Sequence, residues 1–462
     1  MNDDHIISRP LVKTLVGFGM VCALLLAPDR VGAESIHTQP PAWLNQPLPL
    51  VDALNLALKQ NRTILKSRQD LEAATGVSLQ TRAVIIPKLQ SSGSYTDTDR
   101  RMLEAFYPGQ VIDRQNWNAD LQIVQSLFEG GRMISSLRAA KLIKEQAFLQ
   151  HQTVVADTLL ATRIAYYDVL LAGQEIVVRD ASVSLLTKEL QDEQHRYAAG
   201  TVPRFNVLRA EVAVANARPP LIRARNAQRI AQNNLAQLLG CNLPREMWET
   251  IPMRLTDSLE TAPFDIQLSV AIAQALEKRT ELGVLRKSEK LRQEDIISAR
   301  SERWPHLQGF AGWGWRDSSL TTDLSDKVDG WQVGVRMNWF IFDGLATRGK
   351  VTQAKAAHEK SLVEIDDTSS RIELEVRTAY TAFVSAREVL ESQKKVQEQA
   401  DEALRLAKSR AEAGTATQLD VLTAETALTE ARTTQIQAEY DYAVAVAKLE
   451  RAIGAFGNAE PE

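Results

Sequence analysis

Two hydrophobic periodicities divide this chain: a period of two in four short segments and a period of seven in two long ones. From Trp331 to Trp339 the odd positions read Trp, Val, Val, Met, Trp and the even ones Gln332, Gly334, Arg336, Asn338, which predicts a strand with one apolar face. Trp117 to Ile123 sets Trp, Ala, Leu and Ile against Asn118, Asp120 and Gln122. Leu307 to Trp315 carries Leu, Gly, Ala, Trp and Trp on its odd positions, and Leu89 to Tyr95 is a weaker version opposed by Lys88, Gln90, Ser92 and Ser94. Each segment is about long enough to cross a bilayer when tilted. Five of the eight tryptophans (304, 313, 315, 331, 339) fall in the second hairpin region, mostly near strand ends, as an interfacial girdle would place them. Trp117, Trp313, Trp315, Trp331 and Trp339 are the candidate membrane-interface aromatics. A soluble antiparallel sheet with one buried face would alternate in the same way.

The long segments read as helices. Between Gly131 and Ala199, and again between Leu345 and Ala413, there is no proline, and only Gly173 and Gly349 weaken the run. Each predicts one helix of about 70 residues, roughly 105 Å long. Shorter helical stretches are expected at about Val51–Val84 and Arg204–Leu239, with counterparts near Val270–Arg303 and Gln418–Ile453. The last shows a heptad of Val421, Leu428, Gln435, Tyr442 and Leu449, followed three places on by Ala424, Ala431, Ala438, Ala445 and Ala452. The earlier copy has Val207, Val214, Leu221, Gln228 and Leu235 with Ala210, Ala217, Ala224, Ala231 and Leu238. Such columns predict close helix contact, in an ordinary bundle or in a helical tube. Pro219-Pro220 removes donors inside this heptad, so a kink is expected, with the helix resuming in phase.

The two sets of elements are one set repeated. Phe128-Glu129-Gly130 returns as Phe342-Asp343-Gly344, and Val207-Leu208-Arg209-Ala210-Glu211 as Val421-Leu422-Thr423-Ala424-Glu425, at a shift of 214. Trp117/Trp331, Tyr166/Tyr380 and Gly240/Gly454 keep that shift, whereas Pro87/Pro305 and Leu89/Leu307 stand 218 apart, so the first copy holds about four extra residues in its hairpin loop. The expected organisation is a tandem duplication. A first repeat spans 48–240 with a hairpin at 87–127, and a second spans 266–454 with a hairpin at 305–341. They are joined by an irregular, proline-containing linker at 241–265, which is expected at an equatorial collar; an N-terminal extension covers 34–47 and a tail 455–462. Pro87 and Pro305 mark entry to each hairpin. Gly130, Gly131 and Gly344 mark its exit, where strand must turn sharply into helix.

Composition narrows the function class. A net charge of -4 with no basic run gives no reason for nucleic-acid binding. Residues 1–33 combine Arg9 and Lys13, an apolar run from Leu15 to Ala27 and a Val31-Gly32-Ala33 site, which reads as a secretory signal; the run is short for a membrane anchor. Cys22 follows Val21, where a lipoprotein signal wants a small residue. Without that segment only Cys241 remains, so neither an internal disulfide nor a cysteine metal cluster is expected. Histidines 151, 195, 306 and 358 show no metal-ligand spacing, and there is no nucleophile motif, so neither an enzyme nor a cofactor is expected.

Assembled in this order, the residues resemble the TolC family of bacterial outer-membrane efflux channels, over about Leu48 to Gly454. The most specific element is Gly-Thr-x-x-x-x-[Asp/Asn]-Val-Leu, present as Gly200-Thr201 to Asn206-Val207-Leu208 and as Gly414-Thr415 to Asp420-Val421-Leu422. The resemblance implies a mainly α chain with a small β part. Three copies would form a homotrimer whose four strands each make a 12-stranded outer-membrane β-barrel, and whose long helices make a periplasmic α-barrel. It implies passive exit of substrates as the outer-membrane part of a tripartite efflux or type I secretion system, with a periplasmic adaptor and an inner-membrane transporter. It places Gly200, Thr201, Val202, Pro203, Gly414, Thr415, Ala416 and Thr417 at the periplasmic tip as an adaptor-docking surface. Asp420 falls at a position that can form an acidic pore constriction, although the family's second aspartate is Thr423 here and an arginine of some relatives is Ala416. The competing reading is a periplasmic coiled-coil scaffold without a pore, which would explain the heptads but not two identically placed, tryptophan-flanked hairpins.

Overall fold

The proline-free stretches are continuous helices, because nothing in them interrupts the i to i−4 hydrogen-bond ladder. The computed structural model describes residues 46–99, 101–102, 115–241, 251–317 and 328–455. The expected signal segment, most of the extension and tail, part of the linker and most of both hairpin loops lie outside the described residues. In chain order the elements are β1 (Pro47–Leu48), α1 (Leu50–Gln60), α2 (Arg62–Arg82), β2 (Lys88–Asp97), β3 (Gln115–Glu129), α3 (Arg132–Ala198), α4 (Arg204–Leu238), β4 (Arg254–Leu255), α5 (Leu268–Lys278), α6 (Thr280–Ser301), β5 (His306–Asp317), β6 (Val328–Asn338), α7 (Ala346–Glu412) and α8 (Gln418–Ala452). Helices α3 and α7 each run 67 residues, and α4 and α8 each run 35. Pro219 and Pro220 lie inside an unbroken α4, and the heptad holds across them, with Val214, Leu221 and Ala224 all buried.

One expectation needs correction. The single helices expected over 51–84 and 270–303 are each two helices, broken at Asn61 and Arg279, whose backbones leave the helical region at φ -61, ψ 125 and φ -63, ψ 120. The break is duplicated because its cause is. Asn61 Nδ2 donates to the Leu238 carbonyl at 2.6 Å, and Arg279 Nη1 donates to the equivalent Ala452 carbonyl at 3.3 Å. Gly240 closes the first contact, since a Cβ there would collide with the Gln60 carbonyl; at Gly454 a Cβ would come within 3.1 Å of Lys278 Cβ. Local propensity alone favours helix through both sites, and the tertiary contact overrides it.

Only Arg279 carries a charge into its break, and it gathers partners that Asn61 lacks. It reaches Glu281 at 3.0 Å and grips Glu375 with two bonds of 3.0 Å. Arg451 joins the same group through Glu281 at 2.6 Å and Asp157 at 2.7 Å. Burial works against ionisation of Glu281, but the hydrogen bond and charge of Arg451 hold its carboxyl below the usual range. The network ties α3, α6, α7 and α8 together.

The four longer strands form one antiparallel sheet in the order β2-β3-β5-β6, and β1 pairs with β4 in a separate parallel bridge. The strands run past the alternating segments at several ends, and β6 stops at Asn338, so Trp339 lies just beyond it. A bulge between Ser126 and Phe128 shifts the β3–β5 register at the end nearest the helices. On the helical side, α3 lies between α2 and α6 in one half and between α4 and α8 in the other, while α7 packs on α6 and α8. One lateral edge is therefore α2, α4 and β2, and the opposite edge is α7 and β6.

The strand-to-helix turns differ by one residue. Gly131 (φ 96) begins α3, and its counterpart Leu345 holds φ 71, a left-handed conformation that costs a side-chain-bearing residue about 1–2 kcal/mol. Leu345 is 60% exposed, so its side chain recovers little. Leu345→Gly is expected to raise the unfolding midpoint, with a gain of up to about 1 kcal/mol after the entropy cost of glycine, and Gly131→Leu to lower it by about 1–2 kcal/mol. Arg279→Met is expected to cost about 1–3 kcal/mol, because it removes the donor to the Ala452 carbonyl and one of the two arginines that hold Glu281, while half-exposed Glu375 returns to water. Denaturant titration of the purified protein measures each.

Candidate functional site

The register sorts the sheet into two faces. Leu89, Tyr95, Trp117, Leu121, Ile123, Trp313, Trp315, Trp331, Val333, Val335 and Met337 share one face; Gln90, Ser92, Asn118, Asp120, Gln122, Gln308, Arg316, Gln332 and Arg336 share the other. The apolar face has no covering element among the described residues, and Trp331 and Val333 are 73% and 68% exposed. Trp313 pairs directly with Trp331, and Trp117 and Trp315 lie on the rungs beyond them, toward the hairpin loops. Trp339 stands at the helix end, where its Nε1 donates to the Arg303 carbonyl at 3.2 Å. Eight residues separate Trp331 from Trp339, about 27 Å of extended chain. Among the described residues no helix is long and apolar enough to cross a membrane, which leaves the sheet's membrane-spanning capacity untouched.

At the opposite end the chain turns twice from helix to helix. Gly200 (φ 73) and Gly414 (φ 72) each occupy the left-handed position that ends a helix. At the first turn Gly200 N–H bonds to Tyr197 O and Thr201 N–H to Arg196 O; at the second Gly414 bonds to Ala411 O and Thr415 to Arg410 O. This is the Schellman closure, in which two otherwise orphaned carbonyls are satisfied. Both threonine hydroxyls donate to the same carbonyls as their own amides, Arg196 O at 2.8 Å and Arg410 O at 3.1 Å. Nothing lies within 4 Å of the positions that a Cβ at Gly200 or Gly414 would take, so backbone conformation rather than packing demands glycine.

The helices that leave the two turns start differently. Pro203 caps α4 without a side-chain bond, whereas Thr417 and Asp420 form a reciprocal capping box on α8. Asp420 Oδ2 accepts from the Thr417 amide at 2.7 Å and from its hydroxyl at 2.8 Å. These bonds, with the nearby Arg410 charge, hold the Asp420 carboxyl below its ordinary range. Within one chain the carboxylate is turned back on its own helix start. The Thr-x-x-Asp spacing was a legible sign of this cap. Val202 and Ala416 are half-buried beside the turns. Gly130 and Gly344 take positive φ at the strand-to-helix turns, and Asp343 Oδ2 accepts from Thr347 N at 2.7 Å to start α7.

Between the turns and the equator, the α3–α8 contact carries a polar pair at five levels. Glu189 meets Glu425; Ser182 meets Thr429 at 3.4 Å; Asp168 meets Tyr440 at 2.6 Å; Arg163 pairs with Glu450; Asp157 pairs with Arg451. Sequence reasoning missed this seam, because its members lie on no repeated column. Near the equator an apolar cluster flanks it, including Tyr166, fully buried with its hydroxyl donating to Leu48 O at 2.9 Å. Burial pushes that phenol up to about 12. The histidines serve helix contacts: His151 with Ser67 and His358 with Glu289, both at 2.8 Å.

A family model described as outer membrane efflux protein matches residues 53–241 and 271–455, segments displaced by 218 residues at their starts and 214 at their ends. The alkaline protease secretion protein AprF of Pseudomonas aeruginosa is 25% identical over 423 residues, covering 90% of this chain and 86% of that protein. Outer membrane protein TolC of Escherichia coli is 23% identical over 424 residues, covering 89% and 83%. Among solved structures, the CmeC outer membrane channel of Campylobacter jejuni superposes with a TM-score of 0.78 at 17% identity, covering 89% of this chain and 87% of that one. The outer membrane protein VceC of Vibrio cholerae gives 0.74 at 18% identity, covering 88% and 96%. With a bare apolar sheet face at one end, duplicated glycine turns at the other and a family match spanning both repeats, the chain belongs to the outer membrane efflux protein family and is an outer-membrane channel protein that extends into the periplasm.

Proposed function

We propose that three copies close head to tail into one conduit, which passively carries substrates out across the periplasm and outer membrane in concert with a periplasmic adaptor and an inner-membrane transporter. The observation that carries this reading is the open sheet. Among the described residues β2 and β6 each have a partner on one side only, and four strands cannot close a barrel by themselves. In hydrocarbon an unpaired strand edge leaves N–H and C=O groups unsatisfied at several kcal/mol each, so the edges need each other across chains. The helices support the same geometry, since the β2 edge continues into α2 and α4 and the β6 edge into α7. Exposed Phe205, Leu208, Val212, Ile222 and Ile230 on α4 are the surface that α7 of a neighbour would cover. Polar side chains on the inner sheet face suit an aqueous lumen, and tryptophans at both ends of the outer face suit the two membrane interfaces.

The turns at Gly200-Thr201-Val202-Pro203 and Gly414-Thr415-Ala416-Thr417 are the proposed adaptor-docking surface. In a trimer, three copies of Asp420 would meet at the narrow end, where like charges favour cations and oppose the low carboxyl range that the capping box imposes.

Four outcomes are expected. The unboiled protein migrates as a trimer in detergent gels and as a monomer after heating, while a scaffold without a pore shows no such shift and no bilayer conductance. Val333→Arg alters a residue that is 68% exposed in the single chain; the substitution is near neutral in a soluble sheet but costs about 2–4 kcal/mol per chain at mid-membrane, so loss of trimer with retained helix content is expected. Asp420→Ala is expected to lower cation preference, read as the reversal potential in a salt gradient, and an unchanged potential rejects the constriction. Val202→Glu with Ala416→Glu is expected to abolish adaptor capture while leaving conductance intact.

A further inference from the structure

The duplication repeats one bond across the helix–sheet junction and changes the chemistry around it. In the first copy Gln125 Nε2 donates to the Ile85 carbonyl at 3.1 Å, and in the second Trp339 Nε1 donates to the Arg303 carbonyl at 3.2 Å. Ile85 and Arg303 are equivalent at the 218 shift, and Gln125 and Trp339 at the 214 shift. The backbone geometry is kept, while the second copy replaces Ile85 by Arg303, Ile134 by Arg348 and Ile86 by Trp304. We propose that this second junction, and not the first, holds an anionic phospholipid of the periplasmic leaflet. Arg303 and Arg348 take its phosphate, and Trp304, Trp339 and the apolar run after β6 take its glycerol and upper acyl chain.

Position, charge and exposure each point to a headgroup. Trp339 continues the odd-numbered series of the apolar sheet face, so the Arg303 carbonyl it contacts lies at the periplasmic membrane surface. Lys350 of α7 donates to both oxygens of Glu302 at 2.8 and 2.7 Å, which brings the first turn of α7, with Arg348, against the end of α6, with Arg303. Lys350 and Glu302 cancel, and Asp343 is engaged by the Thr347 amide. Arg303 and Arg348 are exposed and form no ion pair among the described residues. A guanidinium in that state matches a phosphate, which accepts two parallel N–H bonds from it. The edge that a neighbouring chain would bring here, the end of α2 and the start of β2, carries exposed Arg82 and Lys88. Two more bases add to the need for an anion and supply none. Beside these charges Trp304 is 58% exposed, and Ile341 and Phe342 are 83% and 77% exposed. Leu345 keeps the left-handed backbone that Gly131 adopts without strain, and an acyl chain over its side chain offsets that strain by burial.

The site requires a membrane-embedded sheet and does not require three chains. The full protein, purified in detergent, is titrated with phosphatidylglycerol or phosphatidylcholine, and bound lipid is counted by native mass spectrometry. Phosphatidylglycerol is expected to bind more tightly. Arg303→Ile with Arg348→Ile, which installs the residues of the first copy, is expected to weaken it roughly 25-fold, about fivefold for each arginine. Phosphatidylcholine, whose own cation already neutralises its phosphate, is expected to change little. Arg303→Gln with Arg348→Gln keeps both exposed positions polar and is expected to give the same result, so a folding defect of the isoleucine variant does not remove the test. Phosphatidylglycerol affinity unchanged in either folded variant overturns the site, and so does an equal loss for both lipids. Loss of the heat-resistant trimer with lipid affinity unchanged assigns the patch to a neighbouring chain and also overturns it. A wild-type protein that stays monomeric yet shows the arginine-dependent preference leaves the site standing and overturns the three-chain reading.

Discussion

A backbone N–H or C=O in hydrocarbon must find its partner inside the protein, and that constraint organises this chain. Its sheet meets the constraint internally at three of the ladder's contacts and leaves it unmet at two edges, β2 and β6. Each lone chain is thus an incomplete wall. The duplication follows the same logic, since each repeat supplies one hairpin, one long helix and one helical return, and two repeats supply an edge of each kind. Head-to-tail pairing of unlike edges closes into a ring without needing a self-complementary surface.

The helical half obeys a different rule. In water the helices hold together by burying apolar columns, and the repeated Val, Leu and Ala heptads of α4 and α8 do so against α3 and α7. Between the repeats the contact is mostly polar away from the equator. The molecule therefore combines tightly packed pairs within each repeat with a seam between repeats that can change its hydrogen bonding at modest cost. The equator is the exception, where the Arg279 and Arg451 network and the Tyr166 cluster fix all four helical layers in place.

The two ends are built for opposite demands. At the turns glycine is required by φ alone, with open space around it, so these loops are rigid in backbone yet accessible in surface. In the sheet, Gly312 and Gly334 serve packing instead, since a Cβ would come within 2.6 Å of Leu121 O or 2.7 Å of the Phe310 ring. Small residues there let neighbouring side chains and backbone approach closely on the polar face.

Much of this was legible in sequence because it is local or periodic. The alternation of Trp331, Val333, Val335 and Met337 fixed a strand and its apolar face, the proline-free runs fixed α3 and α7, and the 214-residue shift tied the two copies together. What sequence left open is what neighbours decide. Glu211 and Glu425 are the same residue in the same repeated block, yet Glu211 is exposed and Glu425 is buried, because α8 packs against both α3 and α7 while α4 has only α3 as a long partner. The helix breaks at Asn61 and Arg279 arise from carbonyls 177 and 173 residues away. Periodicity records which side of an element is apolar; only the assembled fold sets how many partners that element has, and hence which polar groups lose their water.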